Sequence, residues 1–137
     1  MSNVTREGAE RAVGLVEDVG EVQNAYSILD RTNDPLVDFC RDREIAFVPF
    51  FPLGSAFMGG PQALAADPVI ARVAAAHGAT PSQIALAWLL HRDDRILLIP
   101  GTTSVAHLEE NMAAGDVALG AEDMEALEAV GPMVRGH

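Results

Sequence analysis

An apolar run ends and a helical pattern begins in the stretch IPGTTSVAHLEEN, residues 99–111. Ile99 belongs to the apolar run, and Ser104 stands where the helix would have its N-cap. A short turn of Gly, Thr and Ser between a strand and a helix exposes backbone amides at the helix N-terminus, and α/β proteins commonly bind phosphate there. The stretch therefore indicates an α/β fold with a candidate phosphate site.

Strand-like segments alternate with helical patterns along the chain. The apolar segments EVQNAYS (21–27), IAFVPF (45–50) and RILLIP (95–100) predict three strands. Five residues have the character of helix N-caps, and each predicts a helix that begins after it: Thr5, Asn33, Asp67, Thr80 and Ser104. A last helix is predicted over residues 121–130. Strands that alternate with helices of this length pair in parallel. We therefore predict three parallel strands with covering helices.

The helix after the quoted turn has an apolar flank and a polar flank. At roughly 100° per residue, Val105, Leu108 and Met112 project within about 60° of each other, so we predict that they form a buried stripe. His107 and Asn111 lie on a different flank near the helix N-terminus, where phosphate is favoured by about 1 kcal/mol. The alternative is an N-cap followed by polar residues in solvent.

Composition and charge narrow the function classes. The chain has 137 residues, of which 49% are apolar and 21% charged, as in a single globular unit. The net charge of -11 disfavours nucleic acid and anionic membrane surfaces as partners. No apolar run approaches the roughly 20 residues that span a bilayer, and the N-terminal sequence MSNVTREGAE lacks a secretion signal. We therefore expect a cytoplasmic location.

Three residue types limit the chemistry of the chain. The single cysteine, Cys40, excludes a disulfide framework and a zinc site, and its spacing from Leu36 and Phe39 predicts a core position. We expect no metal site. Every basic residue is an arginine, so a mechanism that needs lysine cannot operate within this chain. Tyr26 is the single tyrosine.

Four segments carry a resemblance to a known family. Ser2-Asn3 resembles the end of a G-x-S-N turn, and Gln23-Asn24-x-Tyr26-Ser27 resembles a Q-x-x-Y motif on a strand. FFPLG (50–54) is similar to a Y-S-P-L-G segment, and residues 99–111 are similar to a strand-end signature that begins I-P-G/K and ends E-N. In this order, these segments resemble the C-terminal part of the aldo-keto reductases, which are nicotinamide-dependent (β/α)8 barrels.

The resemblance implies a fold and a set of cofactor contacts. The fold would be a partial (β/α)8 TIM barrel, in which residues 1–137 form one incomplete domain and the catalytic N-terminal half is absent. The nicotinamide carboxamide would bind to Ser2, Asn3 and Gln23, with Phe50 stacked on the nicotinamide ring. The pyrophosphate would contact Leu53, Gly54 and Ser55. The adenosine and its 2′-phosphate would contact Gly101, Thr102, His107, Glu110 and Asn111. The implied cofactor is NADP, with NAD as the alternative.

Several positions keep a structural interpretation. An amide in an apolar strand needs hydrogen-bond partners, so Gln23 binds either a carboxamide or a protein group. Phe50 and Phe51 are consecutive and face opposite sides of a strand, so either one is a stacking surface or both are buried. His77 and His91 end their helices and are expected to contact C-terminal carbonyls. The segment FPLGSAFMGG (51–60) predicts a loop.

Catalysis in the family, as the resemblance implies it, uses an aspartate, a tyrosine, a lysine and a histidine from the first half of the barrel. By this resemblance none of the four lies in this chain. The chain has no lysine, and Tyr26 occupies the strand motif and not the position of the acid. We therefore expect the isolated chain to be inactive, and a small carbonyl substrate to bind only if an N-terminal half completes the barrel. A barrel takes about 250 residues, so we expect self-association or a missing N-terminal segment. The alternatives are a noncatalytic dinucleotide-binding or interaction module and an inactive remnant.

Overall fold

A computed structural model describes residues 1–131. In this range the helices are α1 (Arg6–Leu15), α2 (Asp34–Asp42), α3 (Gly60–Ala66), α4 (Pro68–His77), α5 (Pro81–Arg92), α6 (Val105–Ala113) and α7 (Ala121–Glu128). The strands are β1 (Glu21–Ala25) and β2 (Ala46–Phe50), and short 3₁₀ turns lie at Ala56–Met58 and Ala114–Asp116. No helix in this part of the chain has the length and apolar character to cross a membrane.

β1 and β2 form a parallel sheet along their whole length, and α2 connects them as in a βαβ unit. The sheet extends by one residue pair on each side. Ser2 bridges to Gln23 on the outer side of β1, and Ile96 bridges to Phe47 on the outer side of β2. Both bridges are parallel, so the predicted parallel arrangement is confirmed.

The predicted third strand, residues 95–100, is wrong in its extent. The Phe47 N–H donates to the Arg95 carbonyl at 2.9 Å, and the Leu97 N–H donates to the Phe47 carbonyl at 3.0 Å. Ile96 is the one residue of this segment that pairs. Residues 97–100 make no further bridge to β2, and within residues 1–131 the segment is an edge of the sheet. The sheet therefore has two strands and two bridges instead of three strands.

The hydrophobic core joins the sheet to α2, α4 and α5. The ring of Trp88 stacks on Tyr26 at 5.9 Å, and Tyr26 meets Phe47 edge to face at 5.7 Å. α5 supplies the six consecutive buried residues 84–89. The α2 residues that were predicted to be in the core are buried, and these are Leu36, Phe39 and Cys40. The chain thus has a packed core beneath one face of its small sheet.

Four of the five predicted caps are confirmed, but the Asn33 side chain makes no capping bond to α2 and instead donates to the Ala25 carbonyl at 2.9 Å. Thr5 caps α1 and Asp67 caps α4, each with a side-chain oxygen that accepts a backbone N–H. Gly78 ends α4 at φ +59°. Thr80 and Gln83 form the predicted capping box at the start of α5.

Two predicted segments need correction. After the loop predicted for residues 51–60 the sequence predicts no helix until Asp67, but α3 occupies residues 60–66, because Gly59 at φ +87° and Gly60 at φ +50° turn the chain directly into a helix. Thr5 predicts the start of α1 but not its end: α1 ends at Leu15, and Val16 is exposed in an extended conformation. The sequence thus missed one helix and did not determine the end of another.

Candidate functional site

The predicted cofactor contacts gather at one edge of the sheet. Ser2 lies at the outer bridge of β1, Phe50 is the last residue of β2, and Gly101 follows the segment that bridges to Phe47. Because these strands are parallel, their carboxyl ends meet at one edge, which is where α/β barrels bind ligands. Every predicted contact residue is exposed or half-buried. We call this carboxyl edge of the sheet, with the contacts predicted around it, the accessible edge.

Ser2, Asn3 and Gln23 are brought together by backbone pairing. The Asn3 N–H donates to the Gln23 carbonyl at 2.8 Å, and the Gln23 N–H donates to the Met1 carbonyl at 2.8 Å. The Gln23 side chain is half-buried, and its Nε2 donates to Glu21 Oε1 at 2.7 Å. Glu21 is thus the protein partner of the Gln23 amide. A bound carboxamide would have to replace Glu21 at Nε2 or bind to Gln23 Oε1.

Phe50 and Phe51 form an accessible aromatic pair at the end of β2. Their rings meet edge to face at 5.4 Å. Phe50 is half-buried and Phe51 is 55% exposed, so the alternative in which both rings are buried is wrong. Phe51 has φ +54°, which ends the strand and stops the alternation of side chains between its two faces. Either ring could stack against a planar ligand.

The loop after β2 folds back on itself at Gly54. The Gly54 N–H donates to the Phe51 carbonyl at 2.9 Å, and the Gly60 N–H donates to the Ser55 carbonyl at 3.0 Å. Gly54 has φ +84°, and a Cβ there would lie 3.7 Å from the Cα of Gly60. The predicted contact Leu53 is half-buried and packs on the core. Gly54 thus gives a bare backbone surface beside Ser55.

The turn at Gly101 is uncovered, and the helix after it begins as predicted. Ser104 Oγ accepts the His107 N–H at 3.3 Å, and Thr102 Oγ1 accepts the Ser104 N–H at 3.1 Å. A Cβ on Gly101 would meet nothing within 4 Å. Gly101, Thr102 and His107 are all exposed. The predicted N-cap is confirmed, and the first turn of α6 is accessible to an anion.

Glu110 makes contacts that the sequence did not predict. Thr80 Oγ1 donates to Glu110 Oε1 at 2.8 Å, and Gln83 Nε2 donates to the Glu110 backbone carbonyl at 3.0 Å. Asn111, the next residue, is half-buried. The capping box was visible in the sequence, but its contact with a helix 30 residues away has no local signal.

The predicted buried stripe on α6 is wrong. Val105 is 73%, Leu108 50% and Met112 72% exposed. Leu97 and Ile99, which precede the helix, are exposed as well. α6 packs on α5, but among the described residues no element covers its apolar flank. We call these five residues the open edge. They form an apolar surface that no described residue covers.

Tyr26 is buried in the core and is not part of the accessible edge. Its hydroxyl donates to the Asp34 carboxylate, and Arg92 Nη2 lies 3.6 Å from Asp34 Oδ1 and 3.4 Å from Asp38 Oδ1. Burial, followed by the hydrogen bond to Asp34, raises the pKa of Tyr26 well above its usual value near 10. A phenol in this position is a poor proton donor for a bound substrate.

The two helix-ending histidines have different partners. His91 Nδ1 lies 2.8 Å from the Ala87 carbonyl, which confirms the predicted contact with a C-terminal carbonyl. His77 Nε2 instead lies 2.8 Å from Asp123 Oδ2 on α7. This contact, followed by the Gly120 N–H bond, lowers the pKa of Asp123. Both histidines therefore have structural partners away from the accessible edge.

Comparison with known proteins gives the family. The model of the Aldo/keto reductase family matches residues 2–132. The chain belongs to the aldo-keto reductase family. This confirms the family that the four sequence segments indicated. The parallel sheet and its helices are consistent with part of the (β/α)8 barrel.

The matches of this aldo-keto reductase chain cover only part of its relatives. It is 47% identical over 130 residues to pyridoxine 4-dehydrogenase of Escherichia coli, which covers 95% of this chain and 43% of that protein. It is 34% identical over 139 residues to an uncharacterized oxidoreductase of Schizosaccharomyces pombe, which covers 92% of this chain and 44% of that protein. The chain therefore spans less than half the length of these curated relatives.

A solved structure gives the same result. The crystal structure of an aldo/keto reductase from Klebsiella pneumoniae in complex with NADP and acetate matches with a TM-score of 0.84 at 25% identity. The match covers 99% of this chain and 49% of that protein. The two folds therefore agree over nearly the whole of this chain.

Proposed function

We propose that this chain is the cofactor-binding half of an aldo-keto reductase that reduces a carbonyl to an alcohol with NADPH. NAD is the alternative cofactor. The observation that carries the proposal is that the predicted contacts are exposed or half-buried and that several of them flank the parallel strands. Solved members of the family that contain NADP or NADPH support a nicotinamide cofactor.

The residues at the edge fit the parts of such a cofactor. A carboxamide needs both a donor and an acceptor, and the side chains of Ser2, Asn3 and Gln23 supply them. Phe50 offers a ring face to the nicotinamide. The glycine backbone at Gly54 allows a pyrophosphate to approach closely, since no Cβ projects there. The bound dinucleotide would supply the hydride, and this chain would bind and orient it.

Within residues 1–131 the predicted contacts include no tyrosine or lysine that would donate the proton for carbonyl reduction. The one tyrosine is buried with a raised pKa, and the chain contains no lysine. We therefore propose that the chain alone does not turn over substrate. Turnover of a small carbonyl compound would require a second polypeptide segment that brings the catalytic groups.

The accessible predicted contacts and the missing tyrosine or lysine donor also favour a second candidate, a noncatalytic dinucleotide-binding module. Such a module needs the accessible edge but no proton donor. The two candidates differ in one respect: the half of a reductase gains activity when the missing half is supplied, and the noncatalytic module does not.

The open edge bears on what the protein associates with. Its five apolar side chains and the unpaired outer sides of the two bridges present surface that a closed barrel would cover. We propose that the chain self-associates or binds an N-terminal segment of its own family, and that residues 1–137 form one incomplete domain in the cytoplasm. Light scattering that gives a 14.5 kDa monomer at high concentration would contradict the self-association.

Titration with NADPH, followed by the fluorescence of the reduced nicotinamide, tests the binding site. We expect saturation in the micromolar range. Gly54→Ala should weaken binding, because its φ of +84° strains any residue with a Cβ. Gly115→Ala is the matched control, since a Cβ there meets nothing within 4 Å. No binding of NADPH at millimolar concentration would refute the proposal.

An activity assay separates the two candidates. The chain is mixed with the N-terminal half of its Escherichia coli relative, and NADPH oxidation by a generic aldehyde is measured. Activity that appears only with both halves supports the reductase. Binding of NADPH without activity in the mixture supports the noncatalytic module.

A further inference from the structure

The two outer sides of the sheet differ from each other, but both run parallel to β1 and β2. Ser2 bridges to β1 on one side, and Ile96 bridges to β2 on the other. The residues before and after each of them make the bonds of the bridge, so the Ser2 N–H and carbonyl and the Ile96 carbonyl point outwards. Within residues 1–131 none of these three groups has a backbone partner.

The helix that follows the Ile96 segment carries apolar side chains beyond this side of the sheet. The five residues of the open edge, three of which lie on α6, are between 50% and 73% exposed. In a parallel sheet the right-handed crossover places a helix over its own strand and the next one. On this rule the open edge is where one further parallel strand and its helix would pack.

The opposite side of the molecule offers a parallel segment that is followed by a helix. α1 comes directly after the Ser2 segment and packs on α2. Arg11 and Leu15 lie four residues apart on the exposed side of α1, and Leu15 is 86% exposed. We call Arg11 and Leu15 the α1 flank. A second copy of the chain therefore brings the two elements that the open edge lacks.

Charge complementarity favours contact between these unlike sides. Each copy has a net charge of -11, so two copies repel each other unless basic groups face acidic groups. Among the described residues Arg11 forms no ion pair. On α6, Glu109 is exposed and lies four residues after Val105 and three before Met112, so it borders the open edge. Contact of α1 with α6 would place Arg11 near Glu109 and Leu15 on the open edge.

We propose that two copies of the chain pair about a two-fold axis parallel to the strands, so that the open edge of each copy packs on the Ser2 segment and α1 of the other. This axis keeps all strands parallel and joins the unlike sides twice, so the assembly closes at two copies. Two strands and two bridged segments from each copy give eight parallel segments, the number in a closed α/β barrel. The inference rests on the self-association proposed above and adds the surfaces and the symmetry.

Charge reversal tests which surfaces meet, because the side chains of Arg11 and Glu109 are exposed and can be changed without disturbing the core. Arg11→Glu and Glu109→Arg each place like charges at both joints of the dimer. An exposed ion pair changes affinity by about threefold, and the dimer contains two, so each variant should raise the dissociation constant about 10-fold. Arg72→Glu on α4 and Glu125→Arg on α7 make the same charge changes elsewhere, and these matched controls should leave it unchanged.

A mixture of the two variants distinguishes contact between unlike sides from contact between like sides. In the mixed dimer of Arg11→Glu and Glu109→Arg, each joint again has opposite charges, so the affinity should return to the wild-type value. The doubly substituted chain should dimerise like the wild type for the same reason. Leu108→Asp adds a charge to the open edge and should stay monomeric. Sedimentation equilibrium measures each association against the 14.5 kDa mass of the chain, and Trp88 fluorescence checks that each variant is folded.

Three results would overturn the inference while leaving the proposed cofactor site intact. One is a wild-type chain that remains a 14.5 kDa monomer at millimolar concentration, which would refute the proposed self-association as well. The second is a dimer that Arg11→Glu or Leu108→Asp leaves unchanged, or whose charge variants do not regain affinity when mixed, which would mean that other surfaces meet. The third is growth into larger assemblies, which would mean that the unlike sides meet without closing.

Titration with NADPH separates this inference from the proposed cofactor site. A closed dimer that passes the charge-reversal test but does not bind NADPH would support the inference and refute the cofactor site.

Discussion

Substitution of Tyr26 by Phe should destabilise the protein at neutral pH and remove part of its sensitivity to alkali. The ring keeps its contacts with Trp88 at 5.9 Å and Phe47 at 5.7 Å, so the lost interaction is the hydroxyl donation to Asp34. A hydrogen bond to a charged group contributes about 1.5–3 kcal/mol. Asp34 keeps Arg92 and is 38% exposed, so we expect the lower end, about 1.5 kcal/mol at pH 7.

The alkaline part of the prediction follows from the raised pKa of Tyr26. The pKa is higher in the folded state than in the unfolded state, so its contribution is complete below about pH 10 and is lost as the pH rises towards the folded value. In that window only the unfolded chain ionises, and the wild type loses about 1.4 kcal/mol per pH unit. The difference between wild type and Tyr26→Phe should therefore almost vanish by about pH 11.

The composition of the chain makes this measurable. It contains no lysine and one tyrosine, so few other groups titrate between pH 9 and 11. Burial, followed by the charge of Asp93, raises the pKa of Cys40 to about 11, and the unfolded thiol ionises from about pH 8.5. The pair of proteins is therefore compared in a Cys40→Ala background.

Urea unfolding is followed by the fluorescence of Trp88, the single tryptophan, at pH 7, 9, 10 and 11. Phe39→Leu, a buried ring without a hydroxyl, serves as the control and should show a difference from the Cys40→Ala background that is independent of pH. A Tyr26→Phe difference that stays constant from pH 7 to 11 would refute the assignment of the raised pKa to this buried phenol.

Asp67→Ala should lower the free energy of unfolding by about 1 kcal/mol because the carboxylate caps α4, and Asp67→Ser should restore most of it in urea unfolding. Arg31→Leu leaves Glu128 and two backbone carbonyls without a charged donor, so it should cost about 2 kcal/mol and speed hydrogen exchange in α7; unchanged exchange there would contradict this. His107→Ala should lower the preference for NADPH over NADH about fivefold in paired titrations, whereas His91→Ala should not.

Local signals in the sequence predicted local structure correctly. The caps at Thr5 and Asp67 and the capping box at Thr80 depend on hydrogen bonds that span three residues or fewer, so the sequence contains both partners. Gly78, whose left-handed conformation ends α4, is likewise a signal contained in the local sequence. The two strands β1 and β2 and the helices that begin after the caps were also predicted in the right order, but α3 was missed and residues 95–100 form one bridge in place of a strand.

Predictions that depended on contacts between distant parts of the chain were less accurate. Leu108 was expected to be buried because its spacing is that of a covered helix face, but burial requires a covering element. The single bridge at Ile96 also depends on a neighbour, because apolar spacing does not show how far the segment runs alongside β2. At the candidate site, the contact of Thr80 with Glu110 joins two helices, and a single sequence carries no sign of it.

Within residues 1–131 nothing pairs with the outer sides of the two bridges, so the proposed self-association would make the stability of this protein depend on its concentration. Whatever covers those sides binds the folded chain and not the unfolded one, so each tenfold rise in its free concentration, once above the dissociation constant, adds about 1.4 kcal/mol to the free energy of unfolding. A melting temperature measured on a dilute sample would then report the chain with those outer sides uncovered. A melting temperature measured on a concentrated sample would report how often those sides are covered.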